Sequence, residues 1–445
     1  AGLFEGYELK LNSYDLGVDI ELNDVVQRMR FERPEVKVVV MQSGKEKVFC
    51  AGANIRMLGG ATHSHKVNFC KFTNETRNAY EAAEADSGQK YIAAIKGACA
   101  GGGYELALAC NYIMLTDDSS SAVGLPEVPL LAVLPGTGGL TRITDKRKMR
   151  RDLADIFCSI EEGVKGKRAK DWRLVDEVIA NSKFDQTVQE RASEFAFASD
   201  KAKTSQGISL GAIERQITED RMVYEHIEVT LDRPHRRAEI TLKGPTAPAP
   251  TDMAALQAQG DQAYILKLCR ELEDAILHLR FNEMNLGLWV FKSQGDGAAF
   301  LAHEAVIAAS DHWLAVEMRH YWKRTLKRID VTSRSLAAFV ENGSCFVGFL
   351  SEILFAVDRT YMMEGEFEDD ERPEAEICLS VTNFGGVPMG NDLTRLQTRF
   401  LGEPERVEQA QAMIGVPLAA VQADALGLVT MILDDIDWDD ELRIF

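Results

Sequence analysis

The sequence predicts an α/β protein made of two tandem copies of one strand–helix unit, the second copy degenerate. Three observations carry that prediction. The chain has 445 residues, more than one typical domain holds. Apolar runs of strand length alternate with segments whose apolar residues recur at helical spacing. The same series of signals also occurs twice in the same order, which marks an internal repeat.

The repeat opens on a helix. Glu21–Phe31 lies over Glu271–Phe281, with Glu, Leu, Asp, Arg and Phe in register. A buried-strand candidate follows each, Val38–Met41 and Leu288–Phe291, and runs into a Ser/Gly turn. Tyr91–Gly97 and Leu336–Gly343 then read as strands entering turns. Leu140-Thr-Arg142 matches Leu393-Thr-Arg395, and Ala169–Val175 matches Ala423–Val429. The join is expected near residues 205–225, which divides the chain into units of 1–215 and 216–445. His226–Leu231 and Ala238–Leu242 predict a β-hairpin at the start of the second unit, ahead of the linker-like Lys243–Pro250. The first unit shows no such hairpin and begins at Ala1, not Met, so an N-terminal hairpin is expected to be missing from it. Glu364–Arg372 is an acidic run expected in a solvated loop.

Composition narrows the function classes. Hydrophobic residues make up 46% of the chain, enough for two cores, and the formal net charge is −19. That charge argues against a broad nucleic-acid or anionic-membrane surface, while leaving room for a small basic pocket. The eight cysteines form no CxxC pair and several sit in apolar runs. Reduced, buried thiols in a cytoplasmic protein are expected, not a disulfide framework or a zinc site. No apolar run is long enough to span a bilayer, and no signal peptide opens the sequence.

The most informative stretch is Ala93–Cys110, an apolar strand entering Gly101-Gly-Gly103 and then a helix of small residues. Glycine lets backbone approach a ligand closely, and the first N–H groups of a helix lack intrahelical acceptors. Such a turn can hold a phosphate or an oxyanion. It lacks the Lys-Ser/Thr of a P-loop and the spacing of a dinucleotide fingerprint. Phe49–Leu58 is a second turn between a strand and a helix-like run, so two backbone donors can meet at one carbonyl oxygen. Either turn alone is equally what tight packing without chemistry requires. Glu105 falls on the first turn of an apolar helix, where a buried carboxylate needs a partner or a raised pKa. Glu127, in Gly124-Leu-Pro-Glu-Val-Pro129, is a second acid/base candidate or an ordinary loop glutamate.

Cys50-Ala-Gly-Ala-Asn54, Gly101-Gly-Gly-Tyr-Glu105, Pro126-Glu127, Pro135-Gly-Thr-Gly-Gly-Leu-Thr-Arg142 and Leu174-Val-Asp-Glu177 together resemble the crotonase (enoyl-CoA hydratase/isomerase) superfamily in order and spacing. The resemblance implies tandem units of the ββα-spiral kind, an acyl-CoA thioester substrate, and no cofactor or metal, CoA being part of the substrate. It implies an oxyanion hole formed by the backbone N–H groups of Ala53 and Gly102. Gly101 and Gly103 would lie against substrate beside them. It sets Glu105 and Glu127 on the glutamates that handle water and proton, with acid and base unassigned between them. Arg56 stands where it can meet CoA phosphates or remain a solvated helix residue. Asn54 and Arg173 depart from the family's usual Asp and Gly. The opening Tyr7–Asp19, the run Val67–Arg77 and the degenerate second unit resemble, more narrowly, a ring-opening branch of the family. That branch acts on 2,3-epoxybenzoyl-CoA with two waters in aerobic benzoate degradation, releasing formate and 3,4-didehydroadipyl-CoA semialdehyde. The resemblance also implies a homo-oligomer, such as a dimer. The residue chemistry alone stops at an acyl-CoA and water.

The second unit has lost this apparatus. Bulky Phe346-Val-Gly-Phe349 replaces the glycine turn, and Glu352 aligns with Glu105 if one residue is inserted. Asn383 stands opposite Glu127, and nothing near Phe300–His303 matches Ala51–Asn54. A structural role is therefore expected for it, as a pseudo-symmetric partner within the chain. His63 and His65 are expected in a polar loop, not as a metal pair, since no third ligand accompanies them. The basic run Asp145–Arg151 is a solvated helix start or a neighbour of CoA phosphates. Two other functions share these features. One is an ordinary enoyl-CoA hydratase or isomerase, and the other is a non-catalytic acyl-CoA-binding scaffold.

Overall fold

The structure, a computed structural model, describes residues 6–199, 201, 206–365 and 371–444. The chain divides into two compact units, Ala1–Gly207 and Ile208–Phe445. The centre of the acidic run around 364–372 lies outside the described residues, as does residue 205 at the edge of the expected join.

In the first unit α1 (Leu16–Phe31) starts at Asp15, whose carboxylate caps the Val18 N–H at 3.2 Å. Then come β1 (Val38–Gln42), β2 (Val48–Cys50), α2 (Ile55–Gly60), α3 (His63–Ser87), β3 (Lys90–Ile95), β4 (Ala98–Ala100), α4 (Gly102–Ala109), β5 (Tyr112–Asp117), β6 (Ala122–Gly124) and α5 (Glu127–Leu131). The short α6 (Gly139–Thr141), α7 (Arg151–Phe157) and α8 (Gly166–Asp171) lead to β7 (Glu177–Ala180) and α9 (Phe184–Ala198). Among the described residues the long strands form a parallel sheet in the order β1-β3-β5-β7. The short strands form a second parallel sheet, β2-β4-β6. Long strand, short strand and helix thus recur, which is the expected ββα spiral.

The small sheet positions the site. Each of its strands ends in the turn that precedes a helix, and the strands pair as Cys50↔Cys99 and Ala100↔Gly124. Three helix-entry turns, those before α2, α4 and α5, are thereby brought side by side.

The second unit opens with β8 (Gln216–Ile217), β9 (Arg221–Val223) and the hairpin β10 (Ile227–Asp232)–β11 (Arg237–Lys243), antiparallel from Ile227↔Leu242 to Asp232↔Arg237. Then follow α10 (Met253–Gln259), α11 (Tyr264–Asn282), β12 (Leu288–Gln294), α12 (Gly297–Ala308), α13 (Trp313–Asp330), β13 (Ser335–Val340), β14 (Phe346–Val347), α14 (Ser351–Ala356), β15 (Arg359–Met363) and β16 (Glu376–Cys378). The unit ends with α15 (Arg395–Arg399), α16 (Pro404–Gln411), β17 (Pro417–Ala419), α17 (Ala420–Ala425), β18 (Met431–Leu433) and α18 (Trp438–Ile444). Its main sheet runs β18-β15-β13-β12-β11-β10-β9-β8, and Lys243–Pro250 lies inside the unit, between β11 and α10.

Two expectations change. Val38–Met41 forms β1 as predicted but is only half-buried, whereas Trp289, Val290 and Phe291 of β12 are buried. The cause is sheet position, since β1 is an edge strand among the described residues while β12 is flanked by β11 and β13. His63 and His65 are not in a loop. They form the first turn of α3, where the Thr62 hydroxyl caps the His65 N–H at 3.2 Å.

Candidate active site

The first turn follows β2. Asn54 caps α2, its carboxamide oxygen accepting from Arg56 N–H at 2.9 Å and Met57 N–H at 3.1 Å. Asparagine thus does here what aspartate does at an N-cap. The second turn precedes α4 at Gly101, whose φ of +55° favours glycine. The turns touch, because a β carbon on Gly52 would lie 2.8 Å from the Ala100 carbonyl oxygen and 3.1 Å from the Gly102 nitrogen. Neither Ala53 N–H nor Gly102 N–H donates to a backbone acceptor among the described residues. Arg56 is exposed on the first turn of α2.

Both carboxylates converge on this place. Glu105, 2% exposed, accepts from Thr137 N–H at 3.0 Å, Gly139 N–H at 2.8 Å and the Thr137 hydroxyl. The loop 135–139 therefore holds its side chain from outside α4. Glu127 opens α5, and one of its oxygens would lie 3.0 Å from a β carbon on Gly101. Its Oε2 is buried without a hydrogen-bond partner among the described residues. Burial, and next the negative charge of Glu105, push the Glu127 carboxyl up to about 7. A cleft of about 690 Å³ begins at Val128, the residue after Glu127, and is lined by Leu134, Leu140 and Met149 and also by Asp145, Arg151 and Asp155.

The comparisons decide the family. The enoyl-CoA hydratase/isomerase family model matches residues 9–237. The chain belongs to that family. It is 52% identical over 444 residues to the benzoyl-CoA-dihydrodiol lyase of Aromatoleum evansii, covering 100% of this chain and 79% of that protein. It is 36% identical over 162 residues to the fatty acid oxidation complex subunit alpha of Idiomarina loihiensis, covering 36% of this chain and only 22% of that protein. A solved enoyl-CoA hydratase from Bacillus anthracis is 29% identical, covers 42% of this chain with 69% of its own, and superposes with a TM-score of 0.37.

Sequence reasoning missed Tyr14, Asp19, Arg77 and Thr137. Arg77, 0% exposed, pairs with Asp19 at 3.0 Å and donates to the Gly102 carbonyl oxygen at 3.1 Å. Its ionisable partner lies 58 residues away in sequence, so no local pattern signals the pair. In the basic run Lys148 and Arg151 are exposed and without an ion pair among the described residues, and Arg151 lines the cleft. Lys146 pairs with Glu81 at 2.9 Å and Arg147 with Asp176 at 2.9 Å.

The second unit repeats the first unit's parallel strands, and its own helix-entry turn is occupied from within. Gly348 (φ +52°) stands before Glu352 as Gly101 stands before Glu105. From the matched Gly97 and Gly343, both at positive φ, Glu352 follows one residue further on than Glu105, as expected. Phe349 N–H, the counterpart of Gly102 N–H, is taken by the Glu304 carboxylate at 2.7 Å. Arg142 and Arg395, matched in the repeat, act differently. Arg142 binds Glu81 at 2.9 Å, and although burial raises the Glu81 carboxyl, Arg142 and Lys146 hold it below the usual range. Arg395 instead binds Glu352 at 2.7 Å and Asp330 at 2.7 Å.

Arg395→Met leaves two buried carboxylates facing each other without a cation. It is expected to lower unfolding stability by about 3–5 kcal/mol, read by urea denaturation. A second prediction concerns Glu127. Its carboxyl, at about 7 in the fold, stands above its unfolded value of about 4.3. Folding therefore loses stability as pH rises through that window, and carries the whole penalty above it. Glu127→Gln should raise the melting temperature more at pH 8 than at pH 5. An equal change at both would mean that the titration is not responsible.

Proposed function

We propose that the chain opens the ring of 2,3-epoxybenzoyl-CoA with two waters, giving 3,4-didehydroadipyl-CoA semialdehyde and formate. The observation that carries this reading is the 52% identity to benzoyl-CoA-dihydrodiol lyase across the chain, second unit included. The geometry supports a compatible chemistry. Ala53 and Gly102 N–H groups are the oxyanion donors, aimed at the thioester oxygen; Gly101 and Gly103 allow that close approach. Polarising the thioester withdraws electron density from the attached ring, so water can add in conjugation. The same donors hold the enolate that a retro-aldol-like carbon–carbon cleavage leaves behind.

The environments divide the roles of the two glutamates. Glu127, with its carboxyl near 7 and an oxygen without a protein partner, gives the proton to a departing oxygen. Glu105, steadied by three donors, takes the proton from water. The apolar side of the cleft that begins at Val128 suits an aromatic acyl group, and Arg56, exposed on α2, is the candidate for the CoA phosphates. In this reading the second unit is structural, since its equivalent amide and carboxylate are already engaged. The enzyme works as a cytoplasmic homo-oligomer without a cofactor.

The decisive assay mixes purified protein with enzymatically made 2,3-epoxybenzoyl-CoA and measures formate. Formate release is expected, and Glu105→Gln and Glu127→Gln should each lower kcat by at least about 100-fold. Hydration of crotonyl-CoA without formate would instead favour the hydratase reading, which shares both turns and both glutamates. Tight thioester binding with no turnover would leave a scaffold. The pH–rate profile tests the division of roles. If Glu127 is the acid, kcat should decline as pH rises past about 7, the value its carboxyl takes; a flat profile from pH 6 to about 8.5 would remove that assignment.

A further inference from the structure

Tyr14 lies at the meeting of the two turns; the run Tyr7–Asp19 contains it, but no sequence signal gives it a role. Its backbone belongs to the first turn. Tyr14 N–H donates to the Gly52 carbonyl oxygen at 3.0 Å, and Asn54 N–H donates to the Tyr14 carbonyl oxygen at 2.8 Å. These bonds flank Ala53, with which Tyr14 forms an isolated parallel bridge. Its side chain belongs to the second turn. A β carbon on Gly102 would sit 1.8 Å from the phenol oxygen and 2.7 Å from Cζ, so the hydroxyl rests against the Gly102 α carbon.

The ring is held from behind. The Arg77 guanidinium lies 5.2 Å from its centroid, Phe69 packs at 6.0 Å, and Arg77 is tied to Asp19 and to the Gly102 carbonyl oxygen. Tyr14 is 2% exposed; its hydroxyl, without a hydrogen-bond partner among the described residues, is not sealed from solvent. A phenol hydroxyl placed by its ring and without a protein partner has its donor left over for a bound ligand or water. Burial pushes the phenol well up, more than Arg77 draws it down, so the group is a donor and not a phenolate.

We propose that the Tyr14 hydroxyl is a third hydrogen-bond donor of the oxyanion cradle, given to the oxygen of the bound acyl-CoA that gains negative charge. The proposal rests on the function proposed above. It extends that function from two backbone donors to a side chain that bridges both turns. It also accounts for glycine at 102, where any side chain would displace the phenol. The Arg77–Asp19 pair, touching no substrate, acts through Tyr14 and Gly102 as a positioning device.

Tyr14→Phe tests this, because it keeps the ring, its packing and the Arg77 contact and removes only the donor. The probe is benzoyl-CoA labelled with carbon-13 at the thioester carbonyl, read by difference infrared spectroscopy. Wild-type protein should shift the carbonyl stretch downward, and Tyr14→Phe should shift it less. With 2,3-epoxybenzoyl-CoA, Tyr14→Phe should lose about 100-fold in kcat with KM little changed, at an unaltered melting temperature. A full wild-type shift together with wild-type kcat in Tyr14→Phe would overturn the proposal while leaving the backbone cradle intact. A bound carbonyl left unshifted by the wild-type protein would sink the cradle reading itself, and the tyrosine's role with it.

Discussion

The pairing of three very short strands is the constraint on which the site depends. β2, β4 and β6 contribute only three residues each, yet their register sets three helix-entry turns beside one another. A helix N-terminus leaves its first amides unpaired, so bringing such turns together concentrates donors. Close approach then demands residues without side chains. Gly52, Gly101 and Gly102 are each placed where a β carbon would meet backbone, the Glu127 carboxylate or the Tyr14 phenol. The glycines, in this sense, are consequences of the strand register.

The second unit shows what the same frame does when the glycine at the position of Gly102 is replaced, while Gly348 keeps that of Gly101. At the position of Gly102 the second unit has Phe349, stacked on Trp322 at 5.0 Å with an interplanar angle of 7°. In the first unit a side chain at this position would run into the Tyr14 phenol. The Phe349 amide, still at the start of the helical turn, is satisfied by Glu304, whose other oxygen takes hydroxyls of Ser380 and Thr382. A buried donor left without a partner costs about 1–3 kcal/mol. Where no ligand is to occupy the turn, an internal carboxylate that meets the donor is the stable solution.

Much of this was legible in the sequence, and unevenly. Local signals carried the fold well: α1 and α11 cover the two matched helical segments, and the hairpin β10–β11 falls on the two strand-like runs. The short motifs around Gly101 and Glu105 also located the turns, because glycine at a left-handed φ is a local requirement. What escaped depends on distant contacts. Thr137 reaches Glu105 across 32 residues, and Arg77 reaches Asp19 across 58. The half-burial of β1 likewise depends on which strand lies beside it, which its own alternation cannot report. The two histidines were misplaced for a smaller reason. Thr62 is a good helix cap, a signal outweighed by the polarity of Thr62–Lys66.

The clearest difference between the units concerns the matched arginines. In the second, Arg395 bridges Glu352 and Asp330, so the carboxylate that corresponds to Glu105 is neutralised where it stands. In the first, Arg142 is drawn instead to Glu81 on α3, with Lys146 as a second cation there. Glu105 is then held by neutral donors, and its charge remains available to act on Glu127. Turning one arginine away thus has a double effect. In the proposed mechanism it leaves Glu105 free to accept a proton, and the charge of Glu105 helps to raise the carboxyl of Glu127. An ion pair placed as in the second unit would remove both properties while keeping every backbone feature of the turn, so the identity of the glutamates matters less than the partner each is given.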